Sequence, residues 1–249
     1  MSQTAEETPI RTLSPHEQMS FAGLDHYFKV GRSALDCIRD GLRAAGRTEA
    51  GDPPFGVRTI LDLPCGQGRV LRWLRSAFPD AEIAACDMSR EGVDFCEETF
   101  GAIPIYSVDD PEEIPLPRDH YDLIWVGSLF THLDGPKWGR FLRVYQQALR
   151  PGGVLIFTTH GTRAQKYMTS RAFLYGHDEA SLDELLAIYE AEGFGYIRYA
   201  GMEWNYGTTL SRPDWVIDQV RNTPGLTFVR YGEHAWDDHQ DCYVCRRDA

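Results

Sequence analysis

The stretch Ile60-Leu61-Asp62-Leu63-Pro64-Cys65-Gly66-Gln67-Gly68-Arg69-Val70-Leu71 decides how this chain is read. The short apolar run from Val57 to Leu63 predicts a buried strand. Val70, Leu71, Leu74 and Phe78 predict one face of a helix directly after it. The turn between them holds Gly66 and Gly68, whose missing Cβ atoms let backbone amides approach a ligand closely. It also aims the free N–H groups of a helix start at whatever binds there. A dinucleotide fingerprint would need a third small residue three positions after Gly68, where this chain has Leu71. A nicotinamide or flavin reading therefore fails. Asp62 closes the strand, and Asp87 ends the next apolar run, Glu82 to Asp87, where a carboxylate can accept both hydroxyls of a ribose.

Two further stretches accompany this junction: Tyr121-Asp122-Leu123-Ile124-Trp125-Val126, and Leu149-Arg150-Pro151-Gly152-Gly153. Together with Asp62-Leu63-Pro64-Cys65-Gly66-Gln67-Gly68, in this order, they resemble the motifs of class I S-adenosylmethionine-dependent methyltransferases. That family's first motif is an acidic residue followed by Gly-x-Gly-x-Gly; here Pro64 replaces the first glycine. The resemblance implies an α/β fold, a Rossmann-like seven-stranded sheet with an antiparallel last strand, and S-adenosyl-L-methionine as the cofactor of a methyltransferase. It places the cofactor on Asp62, Pro64, Cys65, Gly66 and Gly68 at the first junction and on Asp87 and Met88 after the second strand. Asp109 or Asp110 would lie near the adenine amino group, the register favouring Asp110. Gly127 and Ser128, after the fourth strand, would leave room for the methionine part.

At 249 residues the chain can bury one sizeable core and carry an elaboration. Its 43% hydrophobic and 25% charged residues are ordinary for a globular protein. A formal charge of −12 argues against a nucleic-acid partner, which would want a basic face. No apolar run reaches the ~18 residues of a membrane span, and the start lacks a basic-then-apolar signal, so a cytoplasmic protein is expected. Cys242 and Cys245 form a lone C-x-x-C without a second pair at ligand spacing, and on a strand their thiols should diverge. No metal is expected.

Residues 1–18, polar and containing Pro9 and Pro15, read as a loose tail. The cofactor domain is expected over 19–161 and 211–249, opening with a helix from His26 to Ala45. Ser89 is placed to cap the helix after the second strand. Trp138, Phe141, Leu142, Tyr145 and Leu149 stripe another helix and read as core. Residues 162–210 stand as an insertion after the fifth strand, with a helix started by a Ser181–Glu184 capping box and a hairpin from Gly195 to Leu210. Leaving the carboxyl end of a strand, the insertion should form a lid and acceptor pocket. A lateral packing patch or a homodimer interface is the other reading.

The cofactor's sulfonium already makes the methyl carbon electrophilic, so catalysis rests on placing a nucleophile in line with it. A hydroxyl acceptor would also need a general base, and histidine has the suitable resting pKa. His160, opening the insertion, and His132, after the fourth strand, are the candidates. Tyr27, Tyr175, Trp204, Tyr206 and His239 are candidates for the acceptor. Expected, then, is methyl transfer to a small-molecule acceptor, at a sugar or natural-product-like hydroxyl. The rivals are a protein or RNA substrate, or a non-catalytic cofactor-binding regulatory protein.

Overall fold

The computed structural model describes residues 8–202 and 205–249; Trp204 lies outside the described residues. Helix α1 (Leu24–Ala44) precedes three strand–helix units: β1 (Thr59–Asp62) with α2 (Leu71–Ala77), β2 (Glu82–Asp87) with α3 (Arg90–Phe100), and β3 (Ile103–Tyr106) with a short 3-10 turn. Next come β4 (Tyr121–Val126), α4 (Gly135–Ala148) and β5 (Leu149–Thr159). The insertion supplies α5 (Thr162–Thr169), α6 (Glu179–Glu192), β6 (Phe194–Arg198) and β7 (Gly207–Ser211). The chain closes with α7 (Pro213–Arg221), β8 (Leu226–Trp236) and β9 (Gln240–Arg247).

Seven strands form one sheet in the order β3-β2-β1-β4-β5-β9-β8, parallel except for β9, which runs antiparallel to both neighbours. The expected sheet is therefore the observed one. Strands β1 and β4 are buried at every position, because helices cover both faces of a parallel sheet. Adjacent residues face opposite cores. Ile60 packs with Ile38, Leu42 and Leu74 on the α1–α2 side, while Leu61 packs with Leu142 and Val216 on the α4–α7 side. The Trp138–Leu149 stripe is buried in that second core. Cys242 falls in one core and Cys245 in the other, as their strand spacing requires.

Local signals explain several boundaries. Ser89 Oγ accepts the Gly92 N–H at the start of α3, and Gly101 ends that helix in the left-handed region at φ 62°. Helix α6 starts earlier than its expected capping box: Asp178 is the cap and accepts the Ser181 N–H. The expected hairpin is β6–β7, paired antiparallel as a separate two-stranded sheet.

The expected loose tail is corrected from residue 8 onward. Arg72, 1% exposed, donates to the carbonyls of Ile10 (2.6 Å) and Thr12 (3.0 Å), and the Arg11 guanidinium lies over the Phe28 ring. The same Arg72 donates to Gly68 O and the Tyr27 hydroxyl, so the arm is tied to the turn after β1. Composition hid this because the arm's anchor is its own backbone carbonyls, which every sequence has.

Replacing Arg72 by Met removes these bonds and unties the arm from the turn after β1. The variant should lose about 3 kcal/mol in urea denaturation and become open to trypsin at Arg11. Resistance equal to the parent would show that the arm is held by other contacts.

Candidate active site

The carboxyl ends of β1 and β2 are joined by one side chain. Asp87 takes the Gly66 N–H on one oxygen and the Ser89 N–H on the other, both at 2.9 Å. Each oxygen keeps a lone pair, so a ribose diol can still be accepted. Gly66 stands at φ +51°, and a Cβ built there would meet nothing within 4 Å, so its Cα faces open space. Gly68 differs: its Cβ would lie 2.5 Å from the Phe100 ring and 3.2 Å from Cys96 Sγ. Gly68 is therefore needed for packing on α3. Cys65 is buried, with its thiol against Cys96, and presents only backbone to the crevice. Pro64 is half-buried in the same turn, and Met88 is exposed beside Asp87.

Asp62 is 1% exposed and neither carboxylate oxygen has a hydrogen-bond partner. Burial, aided by the nearby Asp87 charge, holds its carboxyl well above the usual carboxylate range. A buried carboxylate without a donor is costly, and a cationic or hydroxyl-bearing ligand would relieve it. Arg69, directly after Gly68, makes no hydrogen bond or ion pair among the described residues; it lies 5.7 Å from the centre of the Trp236 ring. Glu17 and Asp237 only partly offset the burial that lowers its pKa. The crevice thus offers a buried acid without a hydrogen-bond partner among the described residues and a ribose-type carboxylate, with the Arg69 guanidinium following its glycine turn. An adenosyl amino acid has the groups to meet all three. Sequence reasoning missed Arg69, although its place immediately after the Gly turn was a usable signal.

Other expected cofactor positions are engaged elsewhere. Asp109 pairs with Lys137, and Asp110 pairs with Arg140 while capping the 3-10 turn through the Glu112 N–H. Arg140 holds the Asp110 carboxyl below its ordinary range. Both acids tie the loop after β3 to α4. At Gly127 the room expected for the cofactor is filled by rings: a Cβ would lie 2.9 Å from Trp125 Nε1 and 3.1 Å from Trp236. Tyr27 is wholly buried, donating to Glu17 at 2.7 Å and accepting from Arg72, and has no face for a substrate.

Ser128, at φ 64°, occupies the left-handed region that few non-glycine residues adopt. A closed set of bonds holds it. Its N–H donates to Thr158 Oγ1, Thr158 donates to Gln240 Oε1, and Gln240 Nε2 donates back to Ser128 Oγ. Gln240, on β9, was invisible beforehand because only the antiparallel last strand brings it to the end of β4.

The histidines meet where the insertion crosses these strand ends. His132 Nδ1 is 2.8 Å from Gly207 O and His160 Nδ1 is 3.2 Å from Thr209 O, both on β7. A carbonyl only accepts, so each Nδ1 carries the proton and each Nε2 presents a lone pair. His160 is buried, and burial with the neighbouring His132 and His239 holds its pKa well below 6.5. His132 is lowered by burial too. His239 Nε2 and the Tyr175 hydroxyl are hydrogen-bonded at 3.2 Å, and Tyr206 stacks on His132 at 4.5 Å. Tyr167, Tyr199 and His177, not anticipated, pack against these rings.

Residues 60–153 match the family model described as "Methyltransferase domain". Together with the seven-stranded sheet, this match supports the resemblance of residues 60–153 to the class I S-adenosylmethionine-dependent methyltransferases. The chain is 30% identical over 120 residues to a malonyl-[acyl-carrier protein] O-methyltransferase of Halalkalibacterium halodurans, covering 46% of this chain and 42% of that protein. The chain spans less than half the length of the first curated relatives it matches. Among solved structures, a S-adenosylmethionine-dependent methyltransferase of Methanosarcina mazei superposes with a TM-score of 0.53 at 14% identity, covering 76% of this chain and 92% of that one. Human N-acetylserotonin methyltransferase in complex with S-adenosylmethionine superposes with a TM-score of 0.54 at 14% identity, over 88% and 52%.

Replacing Asp87 by Ala should weaken binding of S-adenosylhomocysteine by about 1.5–3 kcal/mol in calorimetry, the worth of a charge-assisted hydrogen bond. Unchanged affinity would remove Asp87 from the site. Asp62 gives a second test. Its folded pKa is raised, so the folded state holds a proton that the unfolded state releases, and stability falls as pH rises through that window. Asp62→Asn should therefore raise the Tm of the ligand-free protein at neutral pH. The gain should vanish below about pH 4, where the unfolded carboxyl is protonated as well.

Proposed function

We propose that this protein transfers a methyl group from S-adenosylmethionine to a hydroxyl oxygen of a small acceptor, of the sugar or natural-product kind, with His160 as general base. The observation that carries the reading is His160 itself. It ends β5 beside the end of β4, its Nδ1 is pinned by Thr209 O, and its Nε2 makes no hydrogen bond among the described residues. When bound, S-adenosylmethionine supplies an electrophilic methyl carbon. Asp87 would hold its ribose hydroxyls, Asp62 its ammonium and Arg69 its carboxylate. The Ser128–Thr158–Gln240 circuit keeps the β4 end rigid beside it, which matters because misplacing reacting atoms by an ångström costs orders of magnitude in rate.

Burial keeps His160 neutral across the physiological range, so its Nε2 is ready to take the acceptor's proton. His132 stands with the same tautomer at a ring-centre distance of 6.4 Å. The insertion, hydrogen-bonded through β7 to both histidine loops, supplies the cap: Gly207 N–H donates to His132 O and Ser211 N–H to His160 O. The net charge of −12 favours a small acceptor over a nucleic acid. Among the described residues no helix is long and apolar enough to cross a membrane.

Incubation with labelled S-adenosylmethionine and a panel of hydroxylated, amine and thiol acceptors tests the reading directly. Label should appear on oxygen, and His160→Phe should lower kcat about 10²–10⁴-fold while donor affinity holds. The acid limb of kcat/KM should fall below pH 6.5, because the base is depressed from that value. Turnover of nitrogen acceptors alone would overturn the oxygen assignment. Tight donor binding with no turnover on any acceptor would favour a regulatory role.

A further inference from the structure

Rings from separate parts of the chain form one continuous band above the carboxyl ends of β4 and β5. Tyr206 stacks on His132 at 4.5 Å, His132 stands 6.4 Å from His160, and His160 meets Tyr175 edge-on at 4.9 Å. Beyond it, His239 lies between Tyr167 and Tyr175, within 17° and 14° of parallel to each. The band begins at Tyr206, just before β7. It ends at Tyr167, which lines an open groove of about 630 Å³ along α5.

At the two central imidazoles the free nitrogens are acceptors only. His132 and His160 each donate through Nδ1 to a β7 carbonyl, so their Nε2 atoms can only accept. The Tyr175 hydroxyl is taken up by His239, and the Tyr199 hydroxyl beside the band accepts from Thr208. To meet both Nε2 atoms, a bound molecule must bring donors. A carboxylate brings none at neutral pH, and it would need a cation. Arg163, in the groove at the end of the band, is paired with Asp238 at 2.7 Å. A sugar brings donors, but sugar sites also supply carboxylates or amides to bind several hydroxyls at once, and no side chain of the band is of that kind. Aromatic and imidazole faces instead favour a flat ring, stacked or edge-on.

We propose that the acceptor is an uncharged hydroxylated aromatic molecule, lying against this ring band and donating its hydroxyl hydrogens to His132 and His160. This rests on the methyl-transfer reading and narrows its substrate class. It also separates this chain from relatives named for methylating malonyl and fatty-acid substrates.

The test is calorimetric titration of the full chain with dihydroxynaphthalene, naphthoate and methyl glucoside, each with and without saturating S-adenosylhomocysteine. The diol should bind at least roughly tenfold more tightly than either competitor. Naphthoate or the glucoside binding as tightly as the diol overturns the proposal. His132→Phe keeps the ring and removes the acceptor nitrogen; it should lower diol affinity roughly tenfold with S-adenosylhomocysteine affinity unchanged. Unchanged diol affinity overturns the proposal too, and His160→Gln is read in the same way should the first variant fail to fold. Absence of S-adenosylhomocysteine uptake by the parent protein would overturn the methyl-transfer reading instead, an outcome scored separately from the ligand preference.

Discussion

The Asp87 carboxylate is the joint on which the rest of the site depends. By taking one backbone N–H from the turn after β1 and another from the turn after β2, it locks two loops to a single side chain. The Gly92 Cα then sits so close to Gly66 O that a Cβ there would lie 2.4 Å from it. Asp87's charge also falls on Asp62, already raised by burial. Two acids brought together without a cation between them store an electrostatic cost that a cationic, hydroxyl-bearing ligand relieves. Binding affinity for such a ligand is thus built into the ligand-free fold.

The strand ends where the histidines meet are built by a different device. The antiparallel strand β9 returns through the sheet and delivers Gln240 to the end of β4, while the β8–β9 connection brings His239 over the end of β5. The insertion then adds β7 along the 131–133 segment, with Thr209 bonding to Thr131 O and Leu133 O. The same β7 carbonyls set the tautomer of both histidines. A hydrogen-bond partner on one strand therefore determines which proton-accepting atom faces the band, and so which chemistry the pocket can favour.

How much of this was legible follows the length scale of each interaction. The strand–Gly turn–helix at 60–71, the Asp87 partner and the fifth-strand ending at His160 are local patterns, and they appeared where the sequence placed them. The arm at residues 8–18 was misjudged because carbonyls held by Arg72 leave no compositional mark. Asp109 and Asp110 looked like free acids, yet Lys137 and Arg140 reach them from a helix more than a strand away. Gly127 looked like room for a ligand, and Trp236, distant in sequence, fills it.

By itself the sequence determined the strand–turn–helix units and the chemistry-bearing residue types, because period, turn glycines and strand-end acids act within a few residues of one another; the full sheet and the cofactor class were what the family resemblance of those motifs implied. Only the tertiary structure decided which of those residues are free. Arg69 makes no hydrogen bond or ion pair among the described residues while Asp110 is paired, Gly66 opens outward while Gly68 is packed, and His132 and His160 share one tautomer. Each of these depends on a partner brought from elsewhere in the chain, and such contacts exist only once the sheet and its insertion have closed.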